Sequence, residues 1–325
     1  MSISKCWKAL LAAWLLAAGC LSAFAQQKVI IDTDIGDDID DAYAVGLALS
    51  SPELKILGIT SAWGDTELRS RMLDRMLCEK GRSDIPVLTG VKTQTKTVFS
   101  QEVWAKAGAV HEHGDAVGFL LDEIRKNPGE ITLIALAPLT NIGAAIDRDP
   151  ATFKKLKRVV MMGGAIRHGY GEFGLANAGA PEPEYNIAMD AAAAQKLVKS
   201  GVPIYMMPLD STQLKLDEVR RAMLTTVSTP LTDSLQVLTA EWQRVTHQTT
   251  PTMFDVVAAA YAIQPEVCPA TPLHIDVDDK GFTREGTGAP NVNVCLNSDS
   301  DGFFQFLMPR LLEQRLHGSA SCVVP

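Results

Sequence analysis

Six aspartates occupy the ten positions from Asp32 to Asp41: Asp32-Thr33-Asp34-Ile35-Gly36-Asp37-Asp38-Ile39-Asp40-Asp41. They follow directly on the apolar run Val29-Ile30-Ile31. Asp is a poor strand former, and carboxylates crowded this closely repel one another. A bound cation would neutralise them, and a ligand set made only of oxygen favours a hard divalent ion, Ca²⁺ or Mg²⁺. The run from Asp41 through Ala42-Tyr43-Ala44-Val45 to Leu49 reads as a helix, so the carboxylates fall in a strand-to-helix loop. The helix N-terminus adds partial positive charge there. A solvated acidic loop with one Asp as N-cap is the plainer use of these residues, but a cap needs one Asp and not six.

The elements that must position this loop alternate along the chain. Apolar strands are expected at Val29–Asp32, Leu54–Thr60, Ile131–Leu136, Val159–Met162 and Ile204–Met207. Helices are expected at Asp41–Ser50, Thr66–Lys80, Gly118–Arg125, from Asn141 to Ile146, at Asp190–Ser200 and at Leu216–Leu224. Strands apolar throughout and separated by helices imply a single α/β domain whose mostly parallel central sheet is flanked by helices. Ligands in such sheets bind beyond the carboxyl ends of strands. Polar or Gly-containing segments gather there: Trp63-Gly64-Asp65-Thr66, Pro138-Leu139-Thr140-Asn141, Met162-Gly163-Gly164, Asp210-Ser211-Thr212 and Phe254-Asp255. Each alone could be a turn or a cap. Their shared placement points to one site. The segment Arg167–Tyr185, rich in Gly and Pro and aperiodic, reads as a long functional loop ending in Glu184-Tyr185-Asn186. The C-terminal part from Leu273 holds a short strand-like run at Val292–Leu296 and a last helix near Phe303–Gln314.

On these segments the chain resembles the inosine/uridine-preferring nucleoside hydrolases, calcium-dependent N-ribohydrolases. The resemblance runs from Val29 to about Leu312. It rests on Val29-Ile30-Ile31-Asp32-Thr33-Asp34, Asp40-Asp41-Ala42-x-Ala44, Ala137-Pro138-Leu139-Thr140-Asn141, Met162-Gly163-Gly164, Glu184-Tyr185-Asn186 and Asp255 at a helix start. It implies a Ca²⁺ site made by Asp34, Asp41, the backbone carbonyl of Thr140, and Asp255. It also implies a general base at Asp40, with Asp38 the rival when positions are counted forward from Asp34. Glu184 and Asn186 match residues that hold ribose hydroxyls, and Asp65 would bind the ribose from another side. Met162, Asn177 and Tyr185 are further substrate contacts on this reading. The implied reaction is hydrolysis of a ribonucleoside to free base and ribose. Ca²⁺ would hold the water and the 2′- and 3′-hydroxyls, and an Asp would take the water's proton. Carboxylates would stabilise an oxocarbenium-like sugar, and attack opposite the base would invert the anomeric carbon.

The chain departs from the family at the leaving-group side. Many members carry His just before the late calcium Asp, and here that residue is Phe254. His168, Tyr170 and His247 are candidates to assist the departing base, with His111 and His113 in another loop. Trp63 and Trp242 offer stacking surfaces.

Composition bounds the setting. The formal net charge of −8 argues against nucleic-acid binding, for which a basic face would be wanted. Lys5 and Lys8, the apolar run Ala9 to Ala18, and Ala23-Phe24-Ala25 read as a signal peptide over 1–25, with the catalytic domain expected over 26–325. Export to the periplasm or medium is the expectation; a lipoprotein signal ending at Cys20 is the rival. No later segment is long and apolar enough for a stable membrane span. Cys78, Cys268, Cys295 and Cys322 then remain, and a disulfide is expected most readily among the last three. Homo-oligomerisation is a family-level expectation. Two other functions use parts of the pattern: a haloacid-dehalogenase-like phosphatase with Asp32 as nucleophile, and a non-catalytic exported nucleoside- or sugar-binding protein.

Overall fold

The computed structural model describes residues 26–171, 179–318 and Cys322. The leader expected over 1–25 and the Asn177 position lie outside the described residues.

Val29 and Ile31 pack on one side of the first strand and Ile30 on the other, all fully buried. That alternation is what a strand covered on both faces requires. The strand is β1 (Gln27–Thr33), and it lies inside an eight-stranded sheet. The others are β2 (Leu54–Ser61), β3 (Val87–Leu88), β4 (Thr132–Ala135), β5 (Arg158–Met162), β6 (Ile204–Met207), β7 (Thr271–Leu273) and β10 (Val292–Val294). A separate antiparallel pair is formed by β8 (Ile275–Val277) and β9 (Thr283–Glu285). The order across the main sheet is β3-β2-β1-β4-β5-β6-β10-β7. All its neighbours are parallel except β7, which runs against β10. The expected mostly parallel sheet flanked by helices is what the chain forms.

From β1 the chain builds outward to β2 and β3, then returns to lay β4 on the opposite flank of β1. The loops after β1 and β4 therefore leave in opposite directions and open a crevice between them. Asp32 registers with Thr60 on one side and Ala135 on the other, so three strand ends come level at that crevice. Asn141 laces them: its Nδ2 donates to Asp32 Oδ1 at 2.7 Å and to the Ser61 carbonyl at 2.9 Å, while its Oδ1 accepts from Val91 N at 2.8 Å.

The helices fall close to their expected places, at Asp40–Leu49, Thr66–Glu79, Ala116–Lys126, Thr140–Arg148, Ala191–Lys199, Glu218–Thr225 and Phe254–Ile263. A further long helix, Pro230–Thr246, starts at a capping box on Thr229 and buries Leu231, Leu235, Leu238 and Trp242. It packs across the helix that carries Asp40 and Asp41.

The cysteines pair as Cys268–Cys295 and Cys78–Cys322. The first lies among the C-terminal cysteines as expected. The second corrects the expectation for Cys322. Beyond Leu312 the chain runs back along the end of the Thr66–Glu79 helix, with His317 against Gly81 and Gly318 against Glu79, so the near thiol in space is 244 residues away in sequence. Cross-linking so distant a pair restricts the unfolded chain strongly. Cys322→Ser is expected to lower stability by about 2–4 kcal/mol in urea melts. A non-reducing peptide map that recovers Cys78 joined to any partner but Cys322 would contradict this pairing.

Candidate active site

The acidic loop leaves β1 and turns at Gly36, whose φ of 121° suits only glycine. A side chain there would collide with Phe99, whose ring fills the space where a Cβ would stand. Ser100 donates to the Asp37 carbonyl at 2.6 Å and Gln101 Nε2 to the Asp38 carbonyl at 2.8 Å. The largest single restraint is Arg69, 1% exposed, from the Thr66–Glu79 helix. Its Nη1 donates to the carbonyls of Asp34 and Ile35, its Nε to the Trp63 carbonyl at 2.8 Å, and its Nη2 to Asp37 Oδ2 at 2.7 Å. Sequence reasoning missed Arg69, because an Arg within an amphipathic helix carries no signal that it points inward.

A cavity of about 240 Å³ opens over this loop. Its walls include Asp34, Asp37, Asp38, Asp40, Asp41 and Asp255, together with Leu136, Met162, Glu184 and Asn186. Thr97, Tyr170, Tyr185 and Phe254 complete it. The crevice between β1 and β4 and the N-terminus of the Phe254–Ile263 helix thus converge, as the strand-exit argument requires.

Carboxylate oxygens of Asp40, Asp41 and Asp255 lie within 4.8 Å of one another, all three residues buried. Asp40 Oδ2 accepts from the backbone N–H of Asp255 at 2.9 Å, and Asp41 Oδ1 accepts from Thr33. Asp255 Oδ1 is buried and has no hydrogen-bond partner. An orphaned carboxylate oxygen beside two more carboxylates is what a hard cation would satisfy. The donor set therefore fits a divalent ion.

The electrostatics agree. Burial pushes the Asp34 carboxyl up to about 8, against the pull of Arg69. Asp40, Asp41 and Asp255 are all held well above the ordinary carboxylate range, by burial first and then by a neighbouring carboxylate: Asp38 for Asp40, Asp34 for Asp41, and Asp40 for Asp255. Asp38 is raised too, by burial, against the opposing effect of the Ile39 N–H and the Trp242 indole. Glu184, which accepts backbone N–H bonds from Gly164, Asn186 and Ile187 at 2.8 to 3.2 Å, is pushed by burial to about 7.

Of the residues expected from sequence, the cavity brings together Asp34, Asp38, Asp40, Asp41, Met162, Glu184, Tyr185, Asn186 and Asp255. Trp63 stands just behind: its indole donates to the Tyr185 hydroxyl at 3.1 Å, which also bonds Thr97 at 2.7 Å. Other expected residues lie elsewhere. Thr140 opens the Thr140–Arg148 helix and its hydroxyl donates to Asp190 at 2.8 Å; Leu136, four residues earlier at the β4 exit, is the one on the cavity wall. The motif was read one turn too late. Asp65 caps the Thr66–Glu79 helix through Leu68 N and is half exposed, because the chain turns outward at Trp63, φ 60°, and Gly64, φ 62°. His247 ends the Pro230–Thr246 helix in a left-handed conformation and lines a separate polar groove of about 840 Å³ with Lys215 and Arg220. His111 and His113 both bond Asp74 and lie away from the cavity. Asp32 is held by Thr60 and Asn141 and is absent from the cavity wall, which removes the nucleophile of the phosphatase reading.

A raised folded-state pKa means that the cation-free fold keeps protons which the unfolded chain releases above about pH 4. Stability of the cation-free protein is therefore expected to fall as pH rises from about 4 toward 8. Added Ca²⁺ displaces those protons, so its effect on Tm should be larger at pH 8 than at pH 5. Thermal melts with and without calcium across that range check the sign; a larger effect at the lower pH would refute it.

Comparison with known proteins agrees with this geometry. The family described as inosine-uridine preferring nucleoside hydrolase matches residues 29–305. A pyrimidine-specific ribonucleoside hydrolase, RihA, of Citrobacter koseri is 31% identical over 316 residues, which cover 87% of this chain and 97% of that one. Among solved structures, a plant nucleoside hydrolase, PpNRh1, superposes with a TM-score of 0.77 at 25% identity, covering 89% of this chain and 99% of its own. A purine-preferring ribonucleoside hydrolase from Gardnerella vaginalis gives 0.73 at 25% identity, over 88% and 98%.

Proposed function

The chain belongs to the inosine-uridine preferring nucleoside hydrolase family and hydrolyses ribonucleosides; from that premise we propose how its residues divide the work. The observation that carries the proposal is the trio Asp40, Asp41 and Asp255 with the orphaned Asp255 oxygen. Asp34, Asp41 and Asp255, with the Leu136 carbonyl at the β4 exit, would hold Ca²⁺. When bound, Ca²⁺ supplies Lewis-acid charge that orients a water and the vicinal ribose hydroxyls. Asp40 is the general base: its Oδ2 is fixed by Asp255 N, and its Oδ1 takes the water's proton. Asp38 stands outside the trio, against Trp242, and is assigned no proton-transfer role. Asn186 reaches the Leu136 and Met162 carbonyls from its Nδ2 at 3.4 and 3.3 Å and keeps its side-chain oxygen for a sugar hydroxyl. Glu184, fixed by three backbone N–H groups, places negative charge beside the sugar as the C–N bond breaks.

On the leaving-group side, Phe254 and Tyr170 meet edge to face with ring centroids 6.3 Å apart. They offer an apolar surface for the base, and Phe254 has no proton to give. Export is part of the proposal. It is supported by the leader-like sequence before Gln26 and by the pairing of all four cysteines among the described residues into disulfides. Fractionation that finds the protein only in cytoplasm would sink that part.

The test of the reaction is chromatographic release of base from a panel of purine and pyrimidine ribonucleosides. Release is expected to stop on chelation and return with calcium. Asp40→Asn should lower kcat by about 10²- to 10⁴-fold, the usual contribution of a positioned base, whereas Asp38→Asn should cost less than about tenfold. The reverse ranking would move the base to Asp38.

A further inference from the structure

The strand-exit motif Asp210-Ser211-Thr212 has no part in the division of work above, yet it holds a fully buried carboxylate. None of its residues lines the site cavity. Asp210 Oδ2 accepts from Ile166 N and Oδ1 from Arg167 N, each at 2.8 Å. Those two N–H groups are the only hydrogen-bond partners of the carboxylate among the described residues. Burying a charge is costly unless it is hydrogen-bonded, so the acid is committed to holding two adjacent residues of one loop.

Gln213, 5% exposed, continues the same grip. Its Oε1 accepts from Gly171 N at 2.7 Å. Its Nε2 donates to the Gly169 carbonyl at 3.1 Å and, within its own turn, to the Leu209 carbonyl at 2.9 Å. Four bonds from one short turn therefore hold 166–171, and between the two glycines stands Tyr170, one ring of the wall on the leaving-group side. The chain then runs on to hold the other ring. The Leu214 carbonyl accepts from Met253 N at 2.8 Å, and Leu216 N donates to the Pro251 carbonyl at 2.9 Å, just before Phe254. Both rings, 6.3 Å apart, are thus referred to the single segment 209–216. On its far side Tyr170 is tied to Glu182 and Tyr185.

We propose that Asp210 and Gln213 are positioning residues for nucleobase selection: they hold Tyr170 at a set place against Phe254 and so fix the shape of the base-facing wall. This rests on the ribonucleoside reading of the site. Neither residue lines the cavity, so both act through Tyr170. An apolar wall between two rings selects bases by fit and stacking, and such selection weakens once one ring is free to shift.

The experiment is a double-mutant cycle between Gln213→Ala and Tyr170→Ala, calcium-loaded, on a panel of purine and pyrimidine ribonucleosides. Gln213→Ala is expected to lower kcat/KM about 3- to 30-fold on the preferred base, as for loss of its two bonds to the loop. On the least favoured base the change should stay within about twofold, and so should calcium affinity by calorimetry. The double variant should be no worse than Tyr170→Ala alone, within about twofold. An equal loss on every base, a fall in calcium affinity, or effects that simply multiply in the double variant would each overturn the proposal and leave Gln213 as a support of the fold. An unaltered protein with no preference among bases overturns it as well. Where Gln213→Ala does not fold, Gln213→Glu keeps the acceptor for Gly171 N, removes the donor to Gly169, and should give the same pattern with a smaller loss. If the unaltered protein releases no base, the ribohydrolase reading fails first, and the cycle is read on calorimetric binding of the same nucleosides. Binding of none of them overturns both.

Discussion

The structure is organised around mutual repulsion among buried carboxylates at the end of β1. Asp34, Asp37, Asp40, Asp41 and Asp255 share one cavity, and the positive charge built among them is the guanidinium of Arg69. Arg69 offsets part of the repulsion through Asp37, and its carbonyl bonds fix the backbone of the loop. What remains is a deficit of positive charge that protons or a divalent ion must fill. The raised pKa values of Asp34, Asp40, Asp41 and Asp255 and the unsatisfied oxygen of Asp255 are two expressions of that deficit. The fold thus keeps these acids buried together, an arrangement that a cation would relieve.

Such a cluster survives only where the backbone leaves it no escape. The order β2-β1-β4 puts the β1 exit between two other strand ends, and Asn141 ties all three to the Val91 segment. The apolar Phe254–Ile263 helix packs against the Asp40–Leu49 helix, and each delivers a carboxylate at its N-terminal turn. Partial positive charge from two helix starts therefore converges on the acids. Residues more than 200 positions apart in sequence, Asp40 and Asp255, meet through a single backbone-to-carboxylate bond.

Much of this was legible in sequence where a pattern has a physical period or a chemical oddity. The fully apolar strands and stripe-bearing helices gave the layered sheet, and six aspartates after a strand gave the site. Legibility failed where orientation depends on tertiary contacts. Asp65 and Thr140 belong to correct motifs, but a left-handed turn at Trp63 and Gly64 and one turn of helix carry their side chains away. Arg69 looks like a surface charge until the fold buries it against Asp37. The Pro230–Thr246 helix went unread although Thr229-Pro230 and the spacing of Leu231, Leu235, Leu238 and Trp242 encode it. Cys322 found Cys78 through a path of the tail that no local rule contains.

The wall at Phe254 bears on how the bond breaks. A protonated imidazole there would share the work by neutralising the departing base; a phenyl ring shares none of it. Tyr170, the neighbouring ring, is held in the wall by the bond its hydroxyl oxygen accepts from Tyr185 N at 3.1 Å, and burial raises its pKa, which makes it a poor source of a proton. Stabilisation of the transition state must then come mainly from the sugar side, where Glu184, Asn186 and the acidic loop surround the cavity. Buried carboxylates suit that task, because negative charge held in a low-dielectric pocket acts most strongly on positive charge that develops only as the glycosidic bond lengthens. The same crowding of buried carboxylates is thereby what an oxocarbenium-like sugar would relieve.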